Sequence, residues 1–179
     1  MRILTASYAR RSEPNCSDWS ALATNATRDD LKKGGYVHDR YEAHMTGAFS
    51  AAVDRLLTYQ IFAPNRLIAR VCTEDHRISL GATIVQRVVW GPLAIETAVR
   101  VIEFEQTPHR AYFSYATLRG HTERGIASFA VAQEPERIKF EAQAWSRPGN
   151  WLSRIGRPLS RAVQKALTRE AVRSFGAAA

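Results

Sequence analysis

The sequence predicts an α+β domain in which a long antiparallel sheet packs against a basic C-terminal helix. Apolar residues recur at every second position through a series of stretches beyond residue 66, the period of half-buried strands. The connections between those stretches are short and rich in Gly and Pro, so successive strands run antiparallel. Two further stretches, 48–59 and 151–175, carry apolar residues at helical spacing instead.

Residues 1–35 read as an irregular extension containing Pro14, Asn15, Ser17 and Asn25. A short helix is expected to start near Thr27, with Asp29 and Asp30 in its first turn, and to stop at Gly34 and Gly35. Tyr36 to Met45 is the first strand. The helix at 48–59 follows, with Phe49, Ala52, Val53, Leu56 and Leu57 on one side, Thr46 as its N-cap, and Pro64 and Asn65 beyond its end.

Strands are then expected at 66–72, 81–89, 93–105, 110–118, 125–133 and 137–146. Gly91-Pro92, Thr107-Pro108, Gly120 to Gly125, and Glu134-Pro135 punctuate them. In the last strand Ile138, Phe140, Ala142 and Ala144 alternate with Lys139, Glu141 and Gln143, which predicts one buried and one wet face. Pro148, Gly149 and Asn150 lead into the helix of 151–175, kinked near Gly156 and Pro158, with an apolar stripe of Leu152, Ile155, Leu159, Val163 and Ala166. The organisation expected is an extension of 1–35, a single domain of 36–175 and a frayed tail of 176–179.

A chain of 179 residues buries roughly 70% of its unfolded surface, enough for a core and for a cavity within it. Its net charge of +8 and pI near 10.0 favour anionic partners. The excess sits at the C-terminal end, where Arg147, Arg154, Arg157, Arg161, Lys165, Arg169 and Arg173 face one acid, Glu170. Two cysteines, Cys16 and Cys72, do not imply a disulfide framework and suggest a reducing compartment. No signal-peptide core or membrane-length apolar run stands out, so a soluble, cytoplasmic protein is expected.

The stretch Tyr115-Ala116-Thr117-Leu118-Arg119-Gly120-His121-Thr122-Glu123-Arg124-Gly125, followed by Phe129, resembles the signature of a bacterial and plant family known only as a domain of unknown function, number nineteen-ninety. Trp145-Ser146-Arg147-Pro148, then Leu152, Gly156, Pro158 and Leu159, resembles its C-terminal motif. The similarity covers roughly residues 34–175. The family is similar to the helix-grip superfamily of START lipid-transfer domains, polyketide cyclases and birch-pollen-allergen-like proteins. That resemblance implies a helix-grip-like fold, a curved antiparallel sheet of about six or seven strands wrapped around the long C-terminal helix. By analogy it implies a hydrophobic or amphipathic small molecule, or a lipid, as ligand.

The candidate ligand-binding residues are Tyr115, Thr117, His121, Glu123, Trp145 and Arg147. His121 and Glu123 lie two apart between glycines, where they can share a proton or hold a polar group; the simpler reading is that they brace the turn. Arg147 can clamp a carboxylate or phosphate, with Trp145 as a pocket wall; the simpler reading is that both serve the sheet-to-helix junction. An enzyme of cyclase or hydrolase type would draw on His121, Glu123, Tyr115 and Arg147. Arg157, Arg161, Lys165, Arg169 and Arg173 recur every four residues. Such a ladder is a solvated helix face, a binder of an anionic membrane surface, or a strip that lies along phosphates. Glu96, Glu103 and Glu105 read as the wet side of a strand. His38, His44, His76, His109 and His121 have no metal-ligand spacing, and no nucleotide or cofactor motif is present. Neither a metal nor a cofactor is expected, and the lack of exposed aromatic motifs argues against nucleic acid.

Overall fold

The structure is a computed structural model that describes residues 1–62 and 67–149. In chain order its elements are β1 (Arg2–Thr5), α1 (Ala6–Arg11), α2 (Ser17–Ser20), α3 (Arg28–Lys32), β2 (Val37–Met45), α4 (Phe49–Leu57), β3 (Leu67–Val71), β4 (Thr83–Trp90), β5 (Leu93–Thr107), β6 (Arg110–Thr117), β7 (Glu123–Gln133) and β8 (Ile138–Pro148). All pairings are antiparallel, in the order β2-β8-β7-β6-β5-β4-β3, with β1 added beside β5. The result is a curved, unclosed antiparallel sheet, as expected.

The period-two reading of β3 to β8 matches the structure to within about two residues at each end, as expected of sequence-based boundaries. The alternation in β8 is realised. Phe140 and Ala142 are buried on the α4 side, hereafter the inner face, while Lys139, Glu141 and Gln143 point to the outer face. A bulge between Val101 and Glu103 on β5 leaves Ile102 without a register partner on β6. It keeps Glu103 and Glu105 opposite Ser114 and Tyr112 on the outer face, the side expected for them, whereas Glu96, expected to be wet as well, is buried in an ion pair with Arg87.

α4 buries Ala52, Val53, Leu56 and Leu57 against the inner face, as its spacing predicts. Its N-cap is Ala48 rather than Thr46, and no side chain caps it. Gly47, at φ 121°, carries the chain into the helix instead. The core lies between α4 and the inner face and includes Ile84, Val99, Val101, Phe113, Phe129, Val131 and Phe140.

The N-terminal segment departs from expectation. Instead of an irregular extension it supplies one strand and three short helices that cover the outer face. Trp19 packs with Val85, Ala98 and Leu118, Ala26 with Ala116 and Ile126, and Ala6 and Ala9 with Val89 and Ala94. Spacing alone missed this because the helices have four to six residues, too few for a period to show. The expected start at Thr27 is correct: Thr27 and Asp30 form a reciprocal capping box.

The reading of the cysteines also changes. Cys16 and Cys72 are 56 residues apart in sequence but 5.7 Å apart between Cα atoms, and they form a disulfide. Packing of the segment around Trp19 on the outer face brings them together, a tertiary relation that their count could not reveal. The helix expected at 151–175, with the basic ladder of Arg157, Arg161, Lys165, Arg169 and Arg173, lies outside the described residues, as do Pro64 and Asn65. Among the described residues no helix is long and apolar enough to cross a membrane.

Candidate functional site

The inner face carries a polar cluster set in aromatic rings. On β4, Ile84, Gln86 and Val88 point inward, and Gln86 faces Thr97 of β5 in register. A buried amide in such a place needs partners. Gln86 Nε2 donates to the Tyr59 hydroxyl at 2.6 Å. Tyr115, from β6, lies close enough for its hydroxyl to feel both. Burial raises both phenols above their ordinary range, so both remain protonated and able to donate.

Around these hydroxyls stand Phe62, Phe113 and Phe129. Their rings lie 5.7 Å (Phe62), 6.1 Å (Phe113) and 6.4 Å (Phe129) from the Tyr59 ring, separations typical of attractive aromatic pairs. Tyr115 and Phe129 are 5.8 Å apart. Phe62 and Tyr115 are only partly buried, so this wall keeps contact with the surroundings.

Tyr59 is there for a reason local to α4. Gln60 N–H donates to the Arg55 carbonyl and Tyr59 N–H to the Leu56 carbonyl, the pairing that closes a helix with a left-handed residue. Glycine usually fills that position. Here it is tyrosine at φ 59°, a conformation that costs roughly 1–2 kcal/mol for a residue with a Cβ. The turn aims the ring into the interior. Sequence reasoning missed Tyr59 and Gln86. A large aromatic at a glycine position just past an amphipathic helix was the available signal for Tyr59; a glutamine beside Arg87 in an otherwise apolar strand, Ile84 to Val89, was the signal for Gln86.

The residues proposed from the sequence fall in three places. Tyr115 and Glu123 are on the inner side, close enough for the Glu123 carboxylate to act on the Tyr115 phenol. Thr117 closes the end of β6. Its hydroxyl donates to Asn25 Oδ1 at 2.5 Å and accepts the Gly125 N–H at 2.9 Å. His121 lies in the loop between β6 and β7, where its Nδ1 accepts the Glu123 N–H at 3.0 Å. Burial of the ring is the main cause that lowers its pKa to about 4, so the imidazole is neutral at neutral pH. This is the turn-bracing role.

Trp145 and Arg147 leave the opposite face. Trp145 stacks on His38 with ring centroids 4.5 Å apart, and the Arg28 guanidinium lies over it at 5.4 Å. The Arg147 guanidinium lies over the Tyr36 ring at 4.7 Å. His121, Glu123, Tyr115 and Arg147 therefore do not meet around one point.

The two glycines of the loop serve different ends. Gly120 sits at φ +85°, the left-handed region. Gly125 is needed for space, since a Cβ there would run into the Trp145 carbonyl oxygen and Ser146 across the β7–β8 ladder.

Among solved structures, a hypothetical protein from Helicobacter pylori superposes with a TM-score of 0.64 at 10% identity, over 93% of this chain and 97% of that one. The major latex-like protein 151 of Panax ginseng gives 0.57 at 10% identity, over 80% and 97%. A di-domain ARO/CYC protein from the steffimycin biosynthetic pathway gives 0.59 at 16% identity, over 84% of this chain and 52% of that one. At these identities the likeness is one of fold. No curated protein matches the sequence closely enough to count as a relative. A family model described as a domain of unknown function, DUF1990, matches residues 21–174.

Proposed function

Because this chain belongs to the DUF1990 family and has a helix-grip sheet, we propose that it binds a hydrophobic or amphipathic small molecule between the inner face of the sheet and its C-terminal segment. The observation that carries the reading is the Tyr59–Gln86–Tyr115 cluster inside a wall of Phe62, Phe113 and Phe129. Sites for small molecules combine apolar and aromatic walls with a few fixed polar groups that orient the ligand. Two protonated phenols and an amide suit a flat, largely apolar molecule bearing an oxygen acceptor. Thr117, His121 and Glu123 would border the site from the β6–β7 end.

Binding is favoured over turnover because the four residues with acid, base or electrophilic character are spread over two faces and a loop, and catalysis requires convergence. Attraction to an anionic membrane through Arg157, Arg161, Lys165, Arg169 and Arg173 would be a second property of the same protein, steeply weakened by salt.

Native mass spectrometry of the protein purified from cells tests the reading, with titration of 2-naphthol as a simple ring carrying one hydroxyl. A co-purifying apolar compound, or saturable binding of 2-naphthol that Tyr115→Phe and Gln86→Leu weaken, supports it. An unliganded mass together with 2-naphthol binding that neither substitution changes overturns it.

A further inference from the structure

The outer face carries a second polar group that the inner cluster does not use. Arg124 of β7 and Arg147 of β8 are register partners, so their side chains leave the same face from opposed positions. Like charges placed directly opposite repel. Asp30 of α3 compensates one of them, accepting from Arg124 Nη2 at 2.8 Å. Arg147 is held over the Tyr36 ring, and among the described residues it has no carboxylate within ion-pair distance.

Two polar atoms at this place are sealed from solvent without a partner among the described residues, the Tyr36 hydroxyl and Arg124 Nε. The hydroxyl comes near the Arg124 guanidinium but short of hydrogen-bond geometry. Buried donors are almost always partnered, and an exception calls for a ligand, ion or water. Here an N–H, a hydroxyl and a guanidinium without a carboxylate among the described residues are gathered at one end of the sheet. All three are donors, and two of them belong to the positive charges that oppose each other.

We propose that Tyr36, Arg124 and Arg147 form a binding site for an oxyanion, best matched by the terminal oxygens of a phosphate monoester. Arginine forks bind such oxygens in pairs, and the Tyr36 hydroxyl supplies a further donor. The anion relieves the Arg124–Arg147 repulsion and satisfies Arg124 Nε and the Tyr36 hydroxyl together. It lies on the face opposite the proposed small-molecule site and is independent of it. The phosphate is either that of a free small molecule or the headgroup of a lipid such as phosphatidic acid.

The test follows the arginine Nε–H signals of the full chain by ¹H–¹⁵N NMR during titration with sodium phosphate, against sodium chloride at matched ionic strength. The expected result is a saturable shift of Arg124 Nε–H with phosphate and none with chloride. Arg147→Gln should weaken the phosphate Kd about tenfold or more, the scale of a lost charge-assisted hydrogen bond. Tyr36→Phe should weaken it several-fold, while Arg137→Gln, at the β7–β8 turn and paired with Glu134, should leave it unchanged. Thermal melts confirm that each variant is folded, and Tyr36→Phe carries the test if Arg147→Gln is not. Co-sedimentation with phosphatidylcholine vesicles containing phosphatidic acid, lost in Arg147→Gln, assigns the phosphate to a lipid; phosphate binding without vesicle binding assigns it to a free small molecule. Equal shifts with chloride and phosphate, or an unchanged Kd in both Arg147→Gln and Tyr36→Phe, overturn the proposal.

Discussion

The hydroxyl of Tyr59 accepts a hydrogen bond from Gln86 Nε2 at 2.6 Å, which ties the end of α4 to the middle of β4 through the interior. The backbone of Tyr59 is left-handed, so the protein tolerates strain there to place that ring. Tyr59→Phe keeps the ring but leaves the Gln86 amide without this acceptor, and should cost about 1–3 kcal/mol. Tyr59→Gly relaxes the backbone but removes a buried aromatic, a loss of about 3–5 kcal/mol that the relaxation offsets only in part. Combining Tyr59→Phe with Gln86→Leu should recover part of the first loss, because both partners are then apolar. Urea denaturation measures all three. A Tyr59→Gly protein as stable as the parent would show that the ring does nothing for the fold.

The Cys16–Cys72 bond closes a loop spanning 56 residues. By the chain-entropy argument a cross-link of that span stabilises by about 4 kcal/mol. Reduction, or Cys16→Ser, should therefore lower the melting temperature by roughly 8–16 °C, since about 1 kcal/mol moves a domain of this size by roughly 2–4 °C. The loss should appear first in the N-terminal segment, as faster amide exchange around Trp19. Identical melts with and without reductant would show that the thiols are unpaired in solution.

Much of the fold was legible because turn residues separate β4 to β8, because β8 alternates between buried and wet positions, and because α4 shows a clean apolar stripe. The N-terminal segment was not legible for a physical reason: it has no core of its own. Trp19, Ala26 and Ala9 are buried only because the outer face of the sheet supplies Val85, Ala116 and Val89 beneath them. The candidate site was half legible. Tyr115 and Glu123 were found through a motif, yet Trp145 and Arg147, found the same way, point to the other face, since they pair with Ile126 and Arg124, the outward positions of β7. Tyr59 and Gln86 lie outside every motif.

Arg87 and Glu96 form an ion pair at 2.6 Å with side chains 3% exposed each. Arg87 also donates to the carbonyls of Ala9, Ser12 and Glu13, so it closes the end of α1 as well as pairing with β5. Removing one member of a buried pair leaves an uncompensated charge and costs about 3–5 kcal/mol. Glu96→Gln should show that loss in denaturant melts. Arg87→Met should lose at least as much, because three carbonyls lose their donor along with Glu96. If the double variant Arg87→Met, Glu96→Leu is more stable than either single one, the penalty lies in the stranded charge; if it is not, the carbonyl contacts dominate.

Three groups set two separate pH windows. His121 has a folded pKa of about 4 against an ordinary value of 6.5, chiefly through burial. Between these values the unfolded chain binds more protons than the folded one, so stability falls as pH drops from about 6.5 to about 4 and this contribution is flat below that. Glu103 is held at about 2, first by the Arg28 hydrogen bonds and then by Tyr112 and Ser114, against 4.5. Its contribution is present above 4.5 and is lost as pH falls toward 2. Asp30, held near 2 first by Arg124, titrates alongside it. Denaturant titrations from pH 7 to pH 2.5 should therefore show two descents. His121→Gln should flatten only the upper one, and Glu103→Gln should flatten part of the lower one while leaving the upper intact. A His121→Gln profile that still falls between pH 6.5 and 4 as steeply as the parent would mean that another group, and not the imidazole bracing the β6–β7 turn, carries that dependence.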